Sequence, residues 1–252
     1  MKFDGKTVIV TGGAKGIGRV YSAAFAERGA RVCVADIDEG ALRQTSEEIG
    51  KLGGRCHCVR TDVSDPDSVE KMVRSCDSSL GPPDVLVNNA AYFSTIARRP
   101  WNEVPADEWR KALDVNVVGM WLCCRAAFPY MKQRGRGKIV NISSGTALGS
   151  PSPGFIHYVT SKGAVISFTR ALAREVGEYN INVNTVTPGL VATEATVANY
   201  PKDTFLRSRE RRCLKRDLVP ADLVGAVLFL ASEESDFVTG QIINVDGGSI
   251  MV

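Results

Sequence analysis

The sequence predicts a doubly wound α/β fold, in which one seven-stranded parallel sheet is covered by helices on both faces. Short apolar runs rich in β-branched residues alternate with amphipathic stretches of helical length along all 252 residues. The apolar runs have no polar face, which is typical of strands buried on both sides. The stretches between them are long enough for the crossovers that parallel strands require.

The elements follow one another in a regular order. The first strand is the β-branched run Thr-Val-Ile-Val-Thr. Predicted strands occupy residues 7–11, 31–36, 55–61, 85–88, 138–142, 182–187 and 241–245. Predicted helices occupy residues 17–28, 39–52, 66–79, 106–132, 159–178 and 220–232, and several are opened by Asp, Ser or Pro. No linker divides this alternation, so a single domain over residues 1–252 is expected.

One connection is longer than the rest. Residues 190–216 follow the sixth strand and exceed the usual length of a loop in a compact domain. Long connections of this kind are often functional, so this segment is predicted to be a lid over the substrate.

Composition excludes several classes of protein. Apolar residues make up 44% and charged residues 23% of the chain, which is close to the globular average and argues against disorder. A net charge of +3 lacks the concentrated basic charge of a nucleic-acid-binding protein. The longest apolar stretch, residues 224–231, is far short of the roughly 18 residues of a membrane span. The N-terminus has no signal-peptide core, and a cytoplasmic protein is expected.

The seven cysteines form an odd set without paired spacing, which favours reduced thiols. Cys56, His57 and Cys58 place three possible metal ligands side by side. No second Cys or His pair lies at zinc-site spacing from them, so no metal is predicted. His57 and His157 are the two histidines, and neither is assigned a catalytic role.

A glycine-rich turn follows the first strand. Residues 11–18 read Thr-Gly-Gly-Ala-Lys-Gly-Ile-Gly and lead into a helical pattern. Gly12, Gly16 and Gly18 would allow a tight turn and close approach of the backbone to a pyrophosphate, whose charge is favoured at a helix N-terminus. An ordinary glycine-rich turn would have the same appearance, so this motif alone does not settle the function.

Asp36 ends the second strand eighteen positions after Gly18, close to the offset at which an acid binds the ribose of a dinucleotide. Its carboxylate would accept hydrogen bonds from both ribose hydroxyls and repel a 2′-phosphate, which favours NAD over NADP. Two interpretations compete with this one. Asp36 could cap the next helix, and Lys15 in the turn could hold a phosphate.

Tyr158 and Lys162 lie four residues apart at the start of a helical pattern, so both side chains lie on one helix face. A tyrosine is a poor base at neutral pH, because its ordinary pKa is near 10. The ammonium of Lys162 is expected to lower the pKa of Tyr158.

Six separated motifs occur together in one order. They are Thr11-Gly-x-x-x-Gly-x-Gly18, Asn88-Asn89-Ala90, Asn116, Ser143-Ser144, Tyr158-x-x-x-Lys162 and Pro188-Gly189. In this order and at these intervals they resemble the short-chain dehydrogenase/reductase family over essentially the whole chain. The resemblance implies a Rossmann fold, an oxidoreductase activity and a nicotinamide cofactor.

The resemblance also implies a catalytic tetrad. Tyr158 is similar to the family's acid/base, Lys162 to the residue that lowers its pKa and binds the nicotinamide ribose, and Ser144 to the residue that polarises the substrate oxygen. Asn116 resembles the asparagine that holds a water in the proton relay beyond the lysine.

Further residues resemble the family's cofactor contacts around the adenine, the ribose and the nicotinamide carboxamide, the last of these being Thr193. The predicted cofactor-binding residues are Gly12, Lys15, Gly16, Ile17, Gly18, Asp36, Asp62, Val63, Asn88, Ala90, Tyr158, Lys162, Pro188, Gly189, Val191 and Thr193.

The chain departs from the family pattern at two places. The run 88–91 ends in Ala where the family usually has Gly. Fourteen positions separate Ser144 from Tyr158, one more than is common, because residues 149–154 lengthen the loop. Ser144 is preferred at the substrate oxygen because it is the family's usual second serine after the strand, and Ser143 stays an alternative.

The expected reaction is the interconversion of an alcohol and its carbonyl compound. Tyr158 would remove the hydroxyl proton, Ser144 would bind the developing oxyanion, and the nicotinamide would accept the hydride. Residues 91–100, 146–157 and 190–216 are expected to wall the substrate. Their apolar members indicate a small hydrophobic or aromatic substrate: Tyr92, Phe93, Leu148, Phe155, Val191, Tyr200, Phe205 and Leu206.

Basic residues lie in the same three stretches. Arg98, Arg99 and the lid arginines could hold a carboxylate or phosphate, although a charge run such as that of the lid is more often a solvated helix face. Residues 184–190 and 237–241 resemble secondary and aromatic alcohol dehydrogenases of the family.

Two other functions are weighed. An NADPH-dependent 3-oxoacyl-carrier-protein reductase conflicts with Asp36 and with Phe128 and Tyr179, which stand where that enzyme has two carrier-docking arginines. A catalytically silent NAD(H)-binding regulator would not need the intact tetrad. Family members are often tetramers, and the helices 106–132 and 159–178 could pair, so a homotetramer is expected and a dimer is left open.

Overall fold

A sheet of parallel strands organises the chain. The computed structural model describes residues 1–93, 95–149 and 153–251, and within these ranges seven strands lie in the order β3-β2-β1-β4-β5-β6-β7. They are β1 (Thr7–Thr11), β2 (Arg31–Asp36), β3 (Arg55–Arg60), β4 (Val85–Asn88), β5 (Gly137–Ile142), β6 (Ile181–Pro188) and β7 (Ile242–Val245). All neighbouring pairs are parallel. The predicted fold class is therefore confirmed.

Helices connect the strands. They are α1 (Gly16–Ala26), α2 (Glu39–Lys51), α3 (Pro66–Leu80), α4 (Ala106–Leu113), α5 (Gly119–Arg134), α6 (Ile156–Val176), α7 (Glu194–Asn199), α8 (Lys202–Arg211) and α9 (Ala221–Ala231). Asp38 caps α2 by accepting a hydrogen bond from the backbone N–H of Ala41 at 3.0 Å. The π-helical turn Asp114–Val118 interrupts the helix that was predicted over 106–132.

Alternate residues of the strands enter two hydrophobic cores. In β1, Val8 and Val10 pack with α1, α2 and α9, whereas Ile9 packs on the opposite face with α3, α5 and α6. Because both faces are covered, the central strands are apolar without alternation, as the sequence predicted.

The sheet has its topological switch point at β1, which pairs with β2 on one side and with β4 on the other. Thr11 at the carboxyl end of β1 pairs with Ala35 and with Asn88. Open α/β sheets bind ligands outside the carboxyl ends of the strands at this point. The glycine turn and Asn88 therefore flank one crevice.

The segment 190–216 is more ordered than a loop. It contains the short helices α7 and α8, and Val191 forms an isolated parallel bridge with Leu218. Two predictions touch residues outside the described ranges: Ser94 of the wall 91–100 and residues 150–152 of the lengthened loop.

Other features of the chain concern membranes, metals and thiols. None of the helices in the described residues is long and apolar enough to span a membrane. Over the same ranges, His, Cys, Asp and Glu side chains form no cluster suited to a metal ion. The seven cysteines are free thiols, and Cys213 among them is exposed.

Candidate active site

The first turns of α6 place Tyr158 and Lys162 side by side at the carboxyl end of β5. Tyr158 is 8% exposed and Lys162 is 3% exposed. The Lys162 Nζ atom donates a hydrogen bond to the carbonyl oxygen of Ile142 at 2.8 Å and lies 5.8 Å from the centre of the Tyr158 ring. The helix begins at Ile156, three residues before the predicted start, so Tyr158 lies inside it.

Burial is the largest cause of the pKa shifts of Tyr158 and Lys162. It raises the pKa of Tyr158 to about 12, and a hydrogen bond from Ser144 offsets part of that rise. Burial also lowers the pKa of Lys162 to about 8. Desolvation thus sets the direction of the Tyr158 pKa in this structure, and a lowering by Lys162 stays a prediction.

The two adjacent serines have different partners. Ser143 Oγ donates to the backbone carbonyl of Lys162 at 2.7 Å. Ser144 Oγ instead accepts hydrogen bonds from the N–H of Thr146 at 3.3 Å and from its hydroxyl at 2.9 Å. The proton of Ser144 is therefore free for the Tyr158 side of the site, as expected for the hydroxyl that binds the substrate oxygen.

Asn116 lies in the π-helical turn and positions its neighbours. Its Oδ1 accepts the N–H of Tyr92 at 2.7 Å, and its Nδ2 donates to Ser161 Oγ at 2.9 Å. Ser161 in turn donates to the carbonyl oxygen of Tyr158 at 2.7 Å. The carboxamide thus links the substrate wall to the catalytic helix, while its role in holding a water stays a prediction.

The glycine turn is shaped to let a bulky anion approach the backbone. Gly12 and Gly16 have φ of +59° and +50°, where a side chain would be strained. A Cβ on Gly18 would overlap the carbonyl oxygen of Gly12, so glycine lets α1 start against the turn. Asn89 Nδ2 braces the turn by donating to the carbonyls of Thr11 and Gly12 at 3.0 and 2.9 Å. The turn fits the pyrophosphate of a dinucleotide.

Asp36 lies beside this turn at the end of β2. Its Oδ2 accepts the N–H of Ala14 at 3.1 Å, and its Oδ1 accepts the N–H of Asp38 at 3.1 Å. Each oxygen keeps a lone pair for a ribose hydroxyl. Asp38, not Asp36, caps α2, so the capping interpretation of Asp36 is wrong.

Lys15 does not offer a free ammonium beside Asp36. Its Nζ forms an ion pair with Asp38 Oδ2, and this contact lowers the pKa of Asp38. Two carboxylates and one ammonium therefore surround the position of the adenosine ribose, which is unfavourable for a further phosphate.

The remaining predicted cofactor residues line the same crevice with different side-chain roles. Asp62 Oδ1 is engaged by the N–H and hydroxyl of Ser64 at 2.9 and 2.6 Å. Asn88 Nδ2 donates to Asn141 Oδ1 at 2.9 Å, so its amide is committed inside the sheet. The N–H of Ala90 donates to Thr11 Oγ1 at 3.2 Å. Val63 is buried, and Ile17 packs on the core.

The lid begins against the glycine turn. A Cβ built on Gly16 would lie 3.6 Å from Thr193 Cγ2, so these two predicted cofactor contacts are neighbours. Thr193 caps α7 in a reciprocal capping box with Thr196. Pro188 and Gly189 end β6 next to Gly145, and Val191 is buried. The start of the lid therefore lies next to both the glycine turn and the segment that follows Ser144.

Aromatic side chains wall the catalytic tyrosine. The Phe93 ring lies 4.6 Å from the Tyr158 ring, 6.1 Å from Phe155 and 6.3 Å from Tyr200. The Arg98 guanidinium lies over Phe155 and Tyr200, at 5.0 and 5.3 Å from their ring centres. The predicted apolar wall therefore exists, and Arg98 is part of it.

Several of the lid arginines have partners within the lid or beside it. Arg207 and Arg209 pair with Asp203 and Asp217 at 3.4 and 2.9 Å. Arg212 is only 2% exposed and donates to the carbonyls of Arg216 and Leu190 at 2.8 and 2.7 Å. Arg212 therefore fixes the start of the lid to its end, a role that the interpretation as a solvated helix face did not include.

Several residues of the site escaped the sequence analysis. Thr146 and Ser161 act through hydrogen bonds to Ser144, Asn116 and Tyr158, and their only sequence signal is a hydroxyl close to a predicted catalytic residue. Asn89 lies within the Asn88-Asn89-Ala90 motif, which gives it no role by itself. The structure alone reveals that its amide closes the glycine turn.

Comparison with known proteins agrees with this geometry. A family model described as enoyl-(acyl carrier protein) reductase matches residues 12–249. An uncharacterized oxidoreductase of Mycobacterium tuberculosis is 40% identical over 249 residues, 99% of both chains. A probable galactose dehydrogenase of Rhizobium meliloti is 37% identical over 243 residues, 96% of this chain and 93% of that protein.

Solved structures of dehydrogenases share the fold. A solved 7α-hydroxysteroid dehydrogenase, complexed with NADH and 7-oxo glycochenodeoxycholic acid, superposes with a TM-score of 0.93 at 31% identity and covers 100% of this chain and 96% of that one. The site and these matches define an oxidoreductase with a nicotinamide-binding fold. The chain belongs to the short-chain dehydrogenase/reductase family.

Proposed function

We propose that this oxidoreductase uses NAD to interconvert a small hydrophobic or aromatic alcohol and its carbonyl compound. The observation that carries the proposal is the position of Tyr158, which is buried beside Ser144 and faces the ring of Phe93 at 4.6 Å. A proton donor, an oxyanion donor and an apolar wall thus meet at one end of the sheet.

Asp36 and Asp38 support NAD as the cofactor. The Asp36 carboxylate is oriented by two backbone N–H groups and can accept hydrogen bonds from both ribose hydroxyls. Lys15, the nearby cation that could bind a 2′-phosphate, is neutralised by Asp38. A phosphate would therefore meet net negative charge, which costs affinity for NADP.

Tyr158 moves the proton in the proposed reaction. With its pKa raised to about 12, the phenol is protonated at neutral pH and can donate to a carbonyl oxygen as that oxygen gains charge. In the reverse direction the phenol must first give up its proton, and the resulting phenolate oxygen then removes the proton of a substrate hydroxyl. A bound nicotinamide supplies or accepts the hydride.

Ser144 and Lys162 prepare this proton transfer. Thr146 donates its hydroxyl proton to Ser144 Oγ, which leaves the Ser144 proton directed to the substrate oxygen. Lys162 reaches the site from inside the protein, and with a pKa lowered to about 8 it can change protonation state near neutral pH. It can therefore hand a proton towards Tyr158 or take one away.

The alternative function, a 3-oxoacyl-carrier-protein reductase, is not supported at residues 128 and 179, where that enzyme has its two carrier-docking arginines. Phe128 and Tyr179 pack edge to face at 5.5 Å, and Lys132 lies over both rings. One lysine above an aromatic pair replaces the two arginines that would engage an acidic carrier.

The hydrogen-bond network around Tyr158 argues against the other alternative, a catalytically silent NAD(H)-binding regulator, because such a protein would not need it.

The test follows nicotinamide absorbance with NAD and then NADP against aryl, alicyclic, sugar and hydroxy-acid alcohols, with Tyr158→Phe as the control. NAD-dependent turnover that disappears in the variant supports the proposal. Turnover confined to NADP contradicts the role given to Asp36. Tight NAD binding without turnover of any alcohol, or of the matching ketones with NADH, favours the regulator.

The homotetramer also remains a proposal, to be checked by sedimentation velocity. Trp121 of α5 is 44% exposed and carries the Arg125 guanidinium 4.9 Å above its ring, on the helix expected to pair between subunits. Burial of this indole in an assembly would offset the cost of its exposure.

A further inference from the structure

Arg98 lies over two aromatic rings at the outer side of the substrate wall. Its guanidinium carbon lies 5.0 Å from the centre of the Phe155 ring and 5.3 Å from that of the Tyr200 ring. Those two rings lie 6.4 Å apart. These contacts restrict the guanidinium, and the N–H groups that do not bond the Tyr200 hydroxyl stay available to a planar anion.

The charge of Arg98 is not neutralised within the part of the chain that the structure describes. No carboxylate of those residues lies within ion-pair distance of it, and its recorded polar contact is the hydroxyl of Tyr200. The adjacent Arg99 is different, because it pairs with Glu108 at 3.4 Å. Arg98 is therefore a cation without a described carboxylate partner on the aromatic part of the wall.

The backbone around Arg98 holds it in place. The N–H of Arg99 donates to the carbonyl oxygen of Gly154 at 3.4 Å, and a Cβ on Gly154 would lie 3.1 Å from Arg98 Cβ. Gly154 has φ of +87°, so a side chain there would be strained as well as crowded. The loop 95–100 is thereby attached to the segment that leads into the catalytic helix.

One aromatic layer separates this cation from the chemistry. Phe93 contacts the Tyr158 ring at 4.6 Å on one side and the Phe155 and Tyr200 rings on the other. An anion that meets Arg98 is consequently a ring's width or more away from the carbon that reacts at Tyr158. A 2-hydroxy acid, whose carboxylate adjoins the reacting carbon, does not match this spacing.

We propose that Arg98, with Phe155 and Tyr200, forms a subsite for a carboxylate at the end of the substrate remote from the reacting hydroxyl. The substrate class is then an aryl or alicyclic hydroxy acid whose ring lies against Phe93. This inference rests on the proposed alcohol dehydrogenase function and adds a charge requirement to it.

A carboxylate fits this subsite better than a phosphate does. A single guanidinium matches one planar carboxylate in charge and in fork geometry. A phosphate dianion needs further donors, and the lid arginines with described partners are engaged by Asp203, Asp217, Asp222 and backbone carbonyls. A phosphorylated alcohol is included in the test as the alternative anion.

The experiment uses substrates that differ only in charge. Oxidation of 4-(1-hydroxyethyl)benzoate is compared with that of its neutral methyl ester, for the wild type, Arg98→Met, Arg98→Lys and Arg74→Gln. Arg74→Gln removes the same charge from the exposed surface of α3, outside the substrate wall, where Arg74 pairs with Glu70 at 3.2 Å. A benzyl alcohol carrying a ring phosphate tests the alternative.

In the wild type the carboxylate should have the lower KM. Arg98→Met should raise the KM of the carboxylate on the order of 10- to 100-fold, the range for losing a charged hydrogen-bond partner, and should change the ester less than about twofold. Arg98→Lys should restore part of the loss, because it keeps the charge but not the stacked fork. Arg74→Gln should behave as the wild type.

Binding provides a second readout that needs no turnover. Calorimetry with 4-acetylbenzoate and its methyl ester, in the presence of NAD so that the ketone is not reduced, measures the subsite directly. Preference for the carboxylate that is lost in Arg98→Met supports the proposal even if no alcohol of the panel is oxidised. If that preference is found and no alcohol is oxidised, the proposed dehydrogenase function is contradicted, whereas the carboxylate subsite is supported.

Other outcomes overturn the subsite. Equal losses for the acid and the ester in Arg98→Met would mean that Arg98 only supports the wall. Wild-type turnover of the ester without any preference for the acid, in KM and in calorimetry, would contradict the subsite while leaving the dehydrogenase function intact. Preference for the phosphorylated alcohol would contradict a carboxylate subsite and show that the subsite binds a phosphate.

Discussion

The hydroxyl of Ser143 donates a hydrogen bond to the backbone carbonyl oxygen of Lys162 at 2.7 Å. This bond joins the end of β5 to the catalytic helix one turn beyond Tyr158. Because its only proton is used there, Ser143 cannot also donate to a substrate oxygen. The neighbouring Ser144, whose oxygen accepts from Thr146, keeps its proton for that purpose.

Replacing each serine by alanine should therefore have a different effect on the enzyme, on kcat for Ser144 and on stability for Ser143. Ser144→Ala is expected to lower kcat about 10²- to 10³-fold, the usual cost of removing one oxyanion donor, with little change in thermal stability. Ser143→Ala is expected to lower the free energy of unfolding by about 1 kcal/mol and to keep most of the activity. Steady-state kinetics and urea unfolding check both, and the opposite pattern would assign the oxyanion role to Ser143.

Lys162 is predicted to be a functional residue that reduces stability at neutral pH. Its folded-state pKa of about 8 lies below its ordinary value of 10.5, so the unfolded chain binds the proton more tightly. Lys162→Met should therefore be more stable than the wild type by about 1–3 kcal/mol at pH 7, while losing activity.

The destabilisation by Lys162 should depend on pH in a defined direction. The destabilisation by Lys162 is fully present below pH 8 and disappears as pH rises from about 8 towards 10.5, since the ammonium is then neutral in both states. Urea unfolding of both proteins between pH 6.5 and 10.5 measures it. A stability gap that widens with pH would show that burial does not penalise the charged form.

Much of the fold followed from local pattern. The predicted strand 85–88 has the observed bounds of β4, because a β-branched run covered on both faces leaves few alternatives. The lid was predicted only as a long connection. Its helices α7 and α8 are short, and α8 is almost entirely polar, so neither gives a clear apolar period.

The site was predictable where function needs a residue type at a fixed interval. Tyr158, Lys162 and Asp36 meet this condition. The neutralisation of Lys15 by Asp38 depends on how a side chain lies over the turn, which spacing does not contain. The rise of the Tyr158 pKa could not be predicted from sequence for a related reason, because desolvation depends on packing from distant segments such as Phe93.

Cofactor preference should depend on the charges at Asp36 and Asp38 separately. Asp36→Ala removes the ribose acceptor and is expected to lower kcat/KM for NAD about 10- to 100-fold. Asp38→Asn keeps a capping side chain on α2 but frees the Lys15 ammonium, so kcat/KM for NADP should rise severalfold. Kinetics with both cofactors check this. Unchanged NADP kinetics in Asp38→Asn would show that Lys15 does not reach the 2′-phosphate.

A buried histidine next to the catalytic tyrosine should limit stability in acid. His157 is fully buried, its ring nitrogens have no hydrogen-bond partner among the described residues, and its Nε2 lies 4.0 Å from Glu108 Oε2. Burial lowers the pKa of His157 below 6.5, although the Glu108 carboxylate opposes this. Below pH 6.5 the unfolded chain therefore binds more protons, and the folded state loses stability as pH falls.

His157→Phe should remove this sensitivity, because phenylalanine fills a similar space without a proton site. The variant is expected to lose less stability than the wild type between pH 7 and pH 5, as measured by thermal unfolding. His57, the other histidine of the sequence, provides the matched control. Its Nε2 bonds Ser75 Oγ at 2.7 Å near the sheet edge. The predicted effect arises because a buried histidine without hydrogen-bond partners resists protonation in the folded state. If His57→Gln removes the acid sensitivity and His157→Phe does not, the burial of His157 is not its cause.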